Sequence, residues 1–533
     1  MDESRIRDTI ELLEQLGGDL RALAELDEAL RIRLVTAAGQ LSRPDRYSRK
    51  ALGKVLARQR VAARREADQA VLEQTGIRAL RKEPVFRTPL PRPAMQLDAP
   101  VRDDAEPDAW ADAEARRAEG PAAGVRVETA RLCYVCKTDF HELHHFYDQM
   151  CPPCAELNYR KREQTADLHG RVALVTGARV KIGYQAAMKL LRAGAEVIVA
   201  TRFPRDAARR FAREPDASAW TQRLHVYGID LRHTPSVELL CQHLLQTLPR
   251  LDALINNACQ TVRRPGGWYD HVIAGELDAW SQLPAAERTI LERNRSLFDG
   301  RARALGGETG DAGEAPRDSL VAAAGGEIRA AGLWKSAVLS QVPLLAEDLE
   351  RGSHLYPAGR LDADLQQVDL RDFNSWRMTL AEVPTAELLE VHLVNAVAPF
   401  VLNARLRPLL AAVPTNDAHV VNVSAMEGQF YRRWKTDKHP HTNMAKAALN
   451  MMTRTSAIEY VRDGIHMNSV DTGWVTDEDP AVHAARKTRI HGFHPPLDIV
   501  DGAARIVDPV FDGITTGNHL WGLFLKDYKP APW

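Results

Sequence analysis

Apolar residues recur at helical spacing along the first part of the chain: Ile6, Ile10, Leu13 and Leu16, then Leu20, Leu23, Leu26, Leu30 and Ile32, and later Leu52, Val55, Leu56 and Val61. No strand-like alternation interrupts them, so the pattern predicts a small helical domain over residues 1–83. From Pro84 to about Val127 the periodicity fades into Pro, Ala, Asp and Glu, the composition of a mobile linker (84–127). A short cysteine-bearing segment (128–160) follows. From about Leu168 to the end, apolar runs alternate with helical stretches as βαβ units do, which predicts an α/β region (168–533) built on a doubly wound parallel sheet.

Composition narrows the class. With 533 residues, 45% hydrophobic and 26% charged, the chain can bury a large core and is neither fibrous nor wholly disordered. Lys plus Arg is 70 against 71 for Asp plus Glu, so no global field draws the protein to nucleic acid or to an anionic membrane. A local exception runs from Arg43 to Lys82, with twelve basic residues against four acids; these helices could contact phosphates of a nucleic acid or a protein partner, or form a solvated face. No apolar run approaches 18 residues, and the acidic start MDESRIRDTIELLEQL lacks the form of a secretory signal. A cytoplasmic protein with no membrane contact is expected.

Four of the six cysteines fall within 22 positions, spaced Cys133-x2-Cys136-x14-Cys151-x2-Cys154. Two CxxC turns facing one another make the tetrahedral sulfur cage that Zn²⁺ prefers, and a closed cage of four sulfurs implies a structural role. Two disulfides or a redox CxxC are the alternatives; a reducing compartment disfavours the first and the pairing of two motifs the second. His141, His144 and His145 lie between the pairs.

Within RVALVTGARVKIGYQAAMKLL, the run Thr176-Gly177-Ala178-Arg179-Val180-Lys181-Ile182-Gly183 resembles the TGxxxGxG loop of short-chain dehydrogenases/reductases, with Lys181 where the family has its middle glycine. The resemblance continues in LDALINNAC (Asn257, Ala258), in Asp230-Leu231 where an acid meets the adenine ring, in Asn395 of LVNAVAPF, in Ser424 of HVVNVSAMEG and in Lys446 of NMAKAALN. It ends in NSVDTGWVTDE, which is similar to the family's NxVxPGxVxT, with Thr472 for Pro followed by Gly473 and Val475. This implies a Rossmann-type fold, a bound dinucleotide, and pairing into a homodimer or homotetramer through the family's fourth and fifth helices. Charge bears on which dinucleotide: no acid closes the second strand, where Thr201 is followed by Arg202. Arg202 with Arg179 or Lys181 could neutralise a 2′-phosphate, favouring NADP(H) over NAD(H); the alternative is that these cations simply line a solvent edge.

The family's general acid is the Tyr of YxxxK, and here Thr442 stands four residues before Lys446. A threonine hydroxyl does not ionise usefully, so the proton donor must lie elsewhere. Tyr431, 15 residues before Lys446, has a spacing similar to that of 2,4-dienoyl-CoA reductases; His439 and His441 are alternatives, since imidazole titrates near neutral pH. In the plainest reading Tyr431 packs beside Phe430 and Trp434 while both histidines cap a helix.

Between Cys259 and Asn395 lie 135 residues, much of them an insertion of about 264–372 that leaves and re-enters at the ligand-binding edge of the sheet, placed to cover a substrate. Arg263 and Arg264 suit an anionic small-molecule substrate or are merely exposed. The expected activity is NADP(H)-dependent reduction of a carbonyl or activated double bond, or its reverse, with an atypical proton donor. The alternative is a dinucleotide-binding lyase, epimerase or sensing and interaction protein.

Overall fold

Runs such as Val172–Thr176 and Glu196–Thr201 are apolar on both faces, which a strand needs when helices cover it from both sides. The computed structural model describes residues 2–90, 124–304, 331–333, 335–431 and 435–533. Most of the predicted linker (91–123), the Gly/Ala-rich 306–318 stretch and Trp434 lie outside the described residues.

The strands are β1 (Arg126–Leu132), β2 (Asp139–Glu142), β3 (Val172–Thr176), β4 (Glu196–Thr201), β5 (Leu224–Gly228), β6 (Ala253–Asn256), β7 (Ala418–Ser424), β8 (Ile465–Asp471), β9 (Phe524–Lys526) and β10 (Lys529–Ala531). β1 and β2 form an antiparallel pair, and the other eight form one sheet in the order β10-β9-β8-β7-β6-β3-β4-β5. That sheet is parallel from β3 to β9, with β10 antiparallel at its edge. The chain leaves β3 toward β4 and β5 and returns on the other side of β3 as β6, so the topological switch, where such sheets open a crevice, lies between β3 and β6. The doubly wound α/β expectation holds.

Alternation along the strands sorts the core into two layers. Ala173, Val175, Val197 and Val199 face helices Lys181–Arg192 and Ile499–Thr516, while Leu174, Ile198, Ala200 and Leu254 face helices Thr234–Thr247 and Ala398–Ala411. A buried polar row crosses β6, β7 and β8: the Asn256 amide donates to Asn403 and Asn422 (both 2.8 Å), Asn422 donates to Thr453 (2.9 Å), and Ser469 donates to Thr453 (2.8 Å). Each residue of the row has at least one partner, which offsets most of the penalty for burying it, while Asn256 Oδ1 is left without one. The helical stretch Thr385–Ala411 is long and apolar enough by length and composition to cross a membrane, a feature the run-length reading missed. Its Leu402, Leu406, Leu409 and Leu410 are buried in the second layer.

The chain divides into two units. The first, Met1–Leu72 with Val127–Thr129, contains helices Glu3–Gly18, Glu28–Ser42 and Arg46–Leu72. The first two bury no residue and the third only Leu72, so Ile6, Ile10, Leu30, Ile32, Leu52 and Val61 remain exposed. Helical spacing announced the helices, but their apolar positions do not meet in a core. Local caps hold their ends: Asp27 accepts from the N–H groups of Ala29 and Leu30, and Asp45 from those of Tyr47 and Ser48.

The second unit begins at Glu73, earlier than the boundary at residue 83. Helix Gly76–Lys82 belongs to it, because the Gly76 and Ile77 amides donate to His145 and Phe146 carbonyls (3.0 and 2.9 Å) and Arg78 pairs with buried Asp148 (2.7 Å). The cysteine segment is joined to the α/β body by buried charge. Arg162, on helix Pro152–Glu163, donates twice to Asp498 (2.6 and 2.8 Å) and once to Asp501 (2.9 Å), while the Tyr147 hydroxyl also donates to Asp501. Burial alone would raise the Asp498 carboxyl, but the Arg162 guanidinium overcomes it and holds it below the usual range.

Removing one partner of such a network strands the rest. Arg162→Met leaves two buried carboxylates without their cation and is expected to cost about 3–5 kcal/mol in urea denaturation; a loss under about 1 kcal/mol would mean that the network does not hold the segment in place.

Candidate functional site

The glycine loop is stitched to the end of β6. Asn257 donates from its side-chain amide to the carbonyls of Thr176 and Gly177 (3.0 and 3.2 Å), and the Ala258 amide donates to the Thr176 hydroxyl (3.0 Å). Gly177 has φ +68°, and a Cβ on Gly183 would lie 2.2 Å from the Asn257 amide nitrogen, so only glycine lets helix Lys181–Arg192 start this close to the strand. Lys181 has φ +57°, the left-handed conformation that explains a glycine at this place in related loops. A cleft of about 630 Å³ opens at the switch point. The predicted residues Gly177, Arg179, Lys181, Ile182, Gly183, Arg202, Asp230, Leu231, Asn257 and Ala258 all line it.

Most of these charges already have partners, some of them supplied by the insertion. Arg179 is buried, donates to Asp206 (2.6 Å) and is also held by Gln366, so it is not available for a cofactor phosphate as expected. Arg202 is half-buried, with its guanidinium bonded to the Tyr269 hydroxyl (2.7 Å) and lying over the Tyr269 ring. Asp230 is fully engaged by Arg232 (2.7 Å) rather than left for a base. Glu478 reaches into the cleft and accepts from Thr476 (2.7 Å) and Thr261 (3.3 Å); burial would raise its carboxyl, but the Lys181 ammonium and the Thr476 hydroxyl hold it below the usual range. Trp268, Tyr269, Gln366 and Asp369 add walls from the insertion, which therefore reaches the glycine loop and Arg202 as well as the substrate side. Arg263 is a buried structural cation, bound by Asp348 (2.7 Å) and Glu390 (3.0 Å), and does not suit a substrate anion; Arg264 lines the cleft and pairs with Asp369.

The chemistry-bearing residues gather at the end of β7. Lys446 donates its ammonium to the Val423 carbonyl (2.7 Å), next to Ser424. The Ser424 and Thr442 hydroxyls are buried without a hydrogen-bond partner. Asn395 sits in a π-turn, Leu393–Val397, where its side chain accepts from the Gln260 amide (2.7 Å) and donates to the Gln260 carbonyl (3.0 Å). Asn395, Ser424, His441, Thr442, Lys446, Thr472, Gly473 and Val475 do not line the open cleft, whose wall includes Thr476–Ala481. Tyr431 is 97% exposed and outside the cleft, because its loop turns to solvent. His439 is the N-cap of helix Pro440–Tyr460, stacked on Trp376 (3.9 Å), and its Nδ1 donates to the Trp376 carbonyl (2.9 Å). His441 is buried with Nε2 3.6 Å from a carboxylate oxygen of fully buried Glu387.

In the cysteine segment all four thiols are free, with their sulfurs within 4.8 Å of one another. Cys136 and Cys151 sulfurs are 3.6 Å apart, near the roughly 3.8 Å that four sulfurs at 2.3 Å on a tetrahedral zinc would have, and the Cys151 amide donates to Cys133 Sγ (3.4 Å). The donor set fits zinc. Sequence reasoning missed Tyr134, which lies between the first two cysteines and whose hydroxyl accepts from the Trp474 amide (2.9 Å), tying the cysteine turn to the loop after β8. It also missed Asp471, which accepts from the Met426 and Gly473 amides (2.8 and 2.7 Å) and so joins the turns after β7 and β8. Aromatic identity alone gave no signal for the first; a buried strand position held by an acid, Asp471 at the end of β8, could have signalled the second.

Comparison with known proteins places these features. The profile described as short chain dehydrogenase matches residues 171–271, and that described as Enoyl-(Acyl carrier protein) reductase matches residues 360–491. The intervening residues fall in the insertion. The uncharacterized protein R665 of Acanthamoeba polyphaga mimivirus is 30% identical over 398 residues, covering 73% of each chain. Retinol dehydrogenase 14 of Mus musculus is 40% identical over 102 residues, which are 17% of this chain and 30% of that protein. Among solved structures, the NADPH-bound carbonyl reductase from chicken fatty liver aligns at 15% identity with a TM-score of 0.39, over 69% of this chain and 100% of that one. With the glycine loop, the switch-point cleft and the β7 end on the same sheet, the chain belongs to the short-chain dehydrogenase/reductase family and is an NAD(P)-dependent oxidoreductase of that type.

Proposed function

We propose that the protein uses NADP(H) to reduce a carbonyl or an activated double bond, or to run the reverse reaction, with a proton donor that is not the family tyrosine. Arg202 carries the cofactor half of this reading: it follows β4 directly, no acid stands beside it, and it lines the cleft. The cleft fits a dinucleotide because the first turn of helix Lys181–Arg192, packed close to β6 at Gly183, turns its free N–H groups toward a pyrophosphate. Arg202, already aligned by Tyr269, would hold the 2′-phosphate, with Lys181 as the second cation.

When bound, the reduced nicotinamide supplies hydride to an electrophilic carbon. The chain's task is then to orient the substrate and deliver one proton to the oxygen, or to the neighbouring carbon of a double bond. Ser424 and Thr442 have unpartnered hydroxyls for orienting a carbonyl, and Lys446 is fixed on the end of β7. For the proton, the buried pair His441 and Glu387 supports His441 over Tyr431. Neither side chain has a hydrogen-bond partner, and a Glu387 carboxylate oxygen lies 3.6 Å from His441 Nε2. A substrate anion would meet Arg264, which lines the cleft and would have to share its guanidinium with Asp369, whereas Arg263 is buried and paired outside the cleft.

Zinc in the four-cysteine cage completes the reading, as a clamp that fixes Tyr134 and through it the loop after β8. A cytoplasmic homodimer or homotetramer fits as well, with Leu389 and Phe400 exposed on one helical stretch and Met444, Met451 and Ile458 exposed on helix Pro440–Tyr460.

Arg202→Ala is expected to weaken NADPH binding at least about tenfold in fluorescence titration and leave NADH binding within about twofold; equal losses for both would remove the phosphate assignment. His441→Gln is expected to slow NADPH oxidation across a panel of carbonyl substrates by about a hundredfold or more, with Tyr431→Phe near wild type, and the reverse ranking would return the donor role to Tyr431. Stripping zinc with a chelator is expected to lower the thermal midpoint and expose four thiols to a thiol reagent; four thiols equally reactive before chelation would contradict the cage.

A further inference from the structure

At the opposite end of the sheet from the cleft, three imidazoles meet. His419 and His466 are the second residues of β7 and β8 and stand opposite each other in register, while His519 comes from the loop after helix Ile499–Thr516. One ring nitrogen from each lies within 4.8 Å of the other two. His419 is fully buried and the other two are half-buried, so the cluster is closed on the protein side and open on the solvent side.

We propose that His419, His466 and His519 form a second metal site, separate from the four cysteines, for a borderline divalent ion such as Zn²⁺ with water as the fourth ligand. The distance between His419 Nε2 and His519 Nδ1 is 3.1 Å, close to the roughly 3.3 Å that two nitrogens bound at 2.0–2.1 Å on one tetrahedral zinc would have. His466 Nδ1 lies 3.3 Å from the Ala418 carbonyl. A carbonyl only accepts, so this nitrogen carries the proton and Nε2 keeps the lone pair; a backbone carbonyl holding the ring in this way is the usual support of a metal-binding histidine.

A hydrogen-bonded pair of His419 and His519 gives no role to the third ring, which offers a nitrogen within 4.8 Å of the other two. On helix Ile499–Thr516, a Cβ added to Gly513 would lie 2.6 Å from His519 Nδ1 and 3.0–3.1 Å from two atoms of the His419 ring, so the helix keeps a glycine where these imidazoles converge. Asp417, the nearest carboxylate in sequence, is held by both terminal nitrogens of Arg171 (2.9 and 2.7 Å), which leaves the fourth position to water. The metal would pin the starts of β7 and β8, whose far ends carry Ser424 and the Asp471–Gly473 turn, to the loop that closes the last long helix.

The test is metal counting and cobalt spectroscopy on the full chain. The wild type, after removal of metal and refilling with Zn²⁺, is expected to hold two equivalents. His466→Gln and His519→Gln, measured separately, should each hold one, keep the thiolate-to-cobalt absorption of a four-cysteine site when filled with Co²⁺, and lose the thermal shift that the second equivalent gives. Metal-free variants melting with the metal-free wild type would show that folding is unchanged. His519 lies on a half-exposed loop, so it serves as the control should His466→Gln fail to fold. Two equivalents retained in His519→Gln, or a wild type whose entire metal content disappears in a Cys136→Ser, Cys151→Ser double variant, would overturn the site.

Discussion

The glycine loop is held by a tight passage between Gly183 and Asn257, where a single added carbon would lie 2.2 Å from the asparagine amide. The amide that comes so close is the one that ties the Thr176–Gly177 turn to the end of β6, so strand, turn and helix share one set of contacts. Because β3 lies between β4 and β6, this contact is also where the chain reverses its direction across the sheet. The free N–H groups of the helix are thereby aimed into the crevice that the reversal opens. The position of the cleft follows from this packing, and its selectivity from what the insertion adds around it.

The insertion and the body of the fold together assign the charges around the cleft. Asp206 with Gln366 of the insertion takes Arg179, Glu390 with Asp348 of the insertion takes Arg263, and Arg232 takes Asp230. What remains facing the cleft is Arg202, steadied by Tyr269, together with Lys181 and Glu478. A basic motif in such a fold therefore does not by itself identify a phosphate site. The cysteine segment is welded on by the same economy of buried ions, with Arg162 between Asp498 and Asp501, and Tyr134 carries its position to the loop after β8.

Local chemistry was legible from residue order. The glycine loop, the NNAC strand and the CxxC pairs each act over a few positions, and the structure brings each set together. Apolar runs alternating with helical stretches likewise announced the parallel sheet. What depended on distant partners was not legible: Arg179 is captured from 187 residues away by Gln366, and the three histidines come from three separate elements. Spacing to Lys446 suggested Tyr431, but spacing does not say which way a loop turns, and this one turns outward. Helical periodicity in the first unit showed where apolar faces lie without showing that anything covers them.

The central claim is that the cleft at the β3–β6 switch holds a phosphorylated dinucleotide. Calorimetric titration of the full-length protein with NADPH and then with NADH tests it most directly. The account predicts one NADPH bound per chain with NADH at least about tenfold weaker, a difference of about 1.4 kcal/mol or more; no saturable heat with either nucleotide, or a preference for NADH, would contradict it.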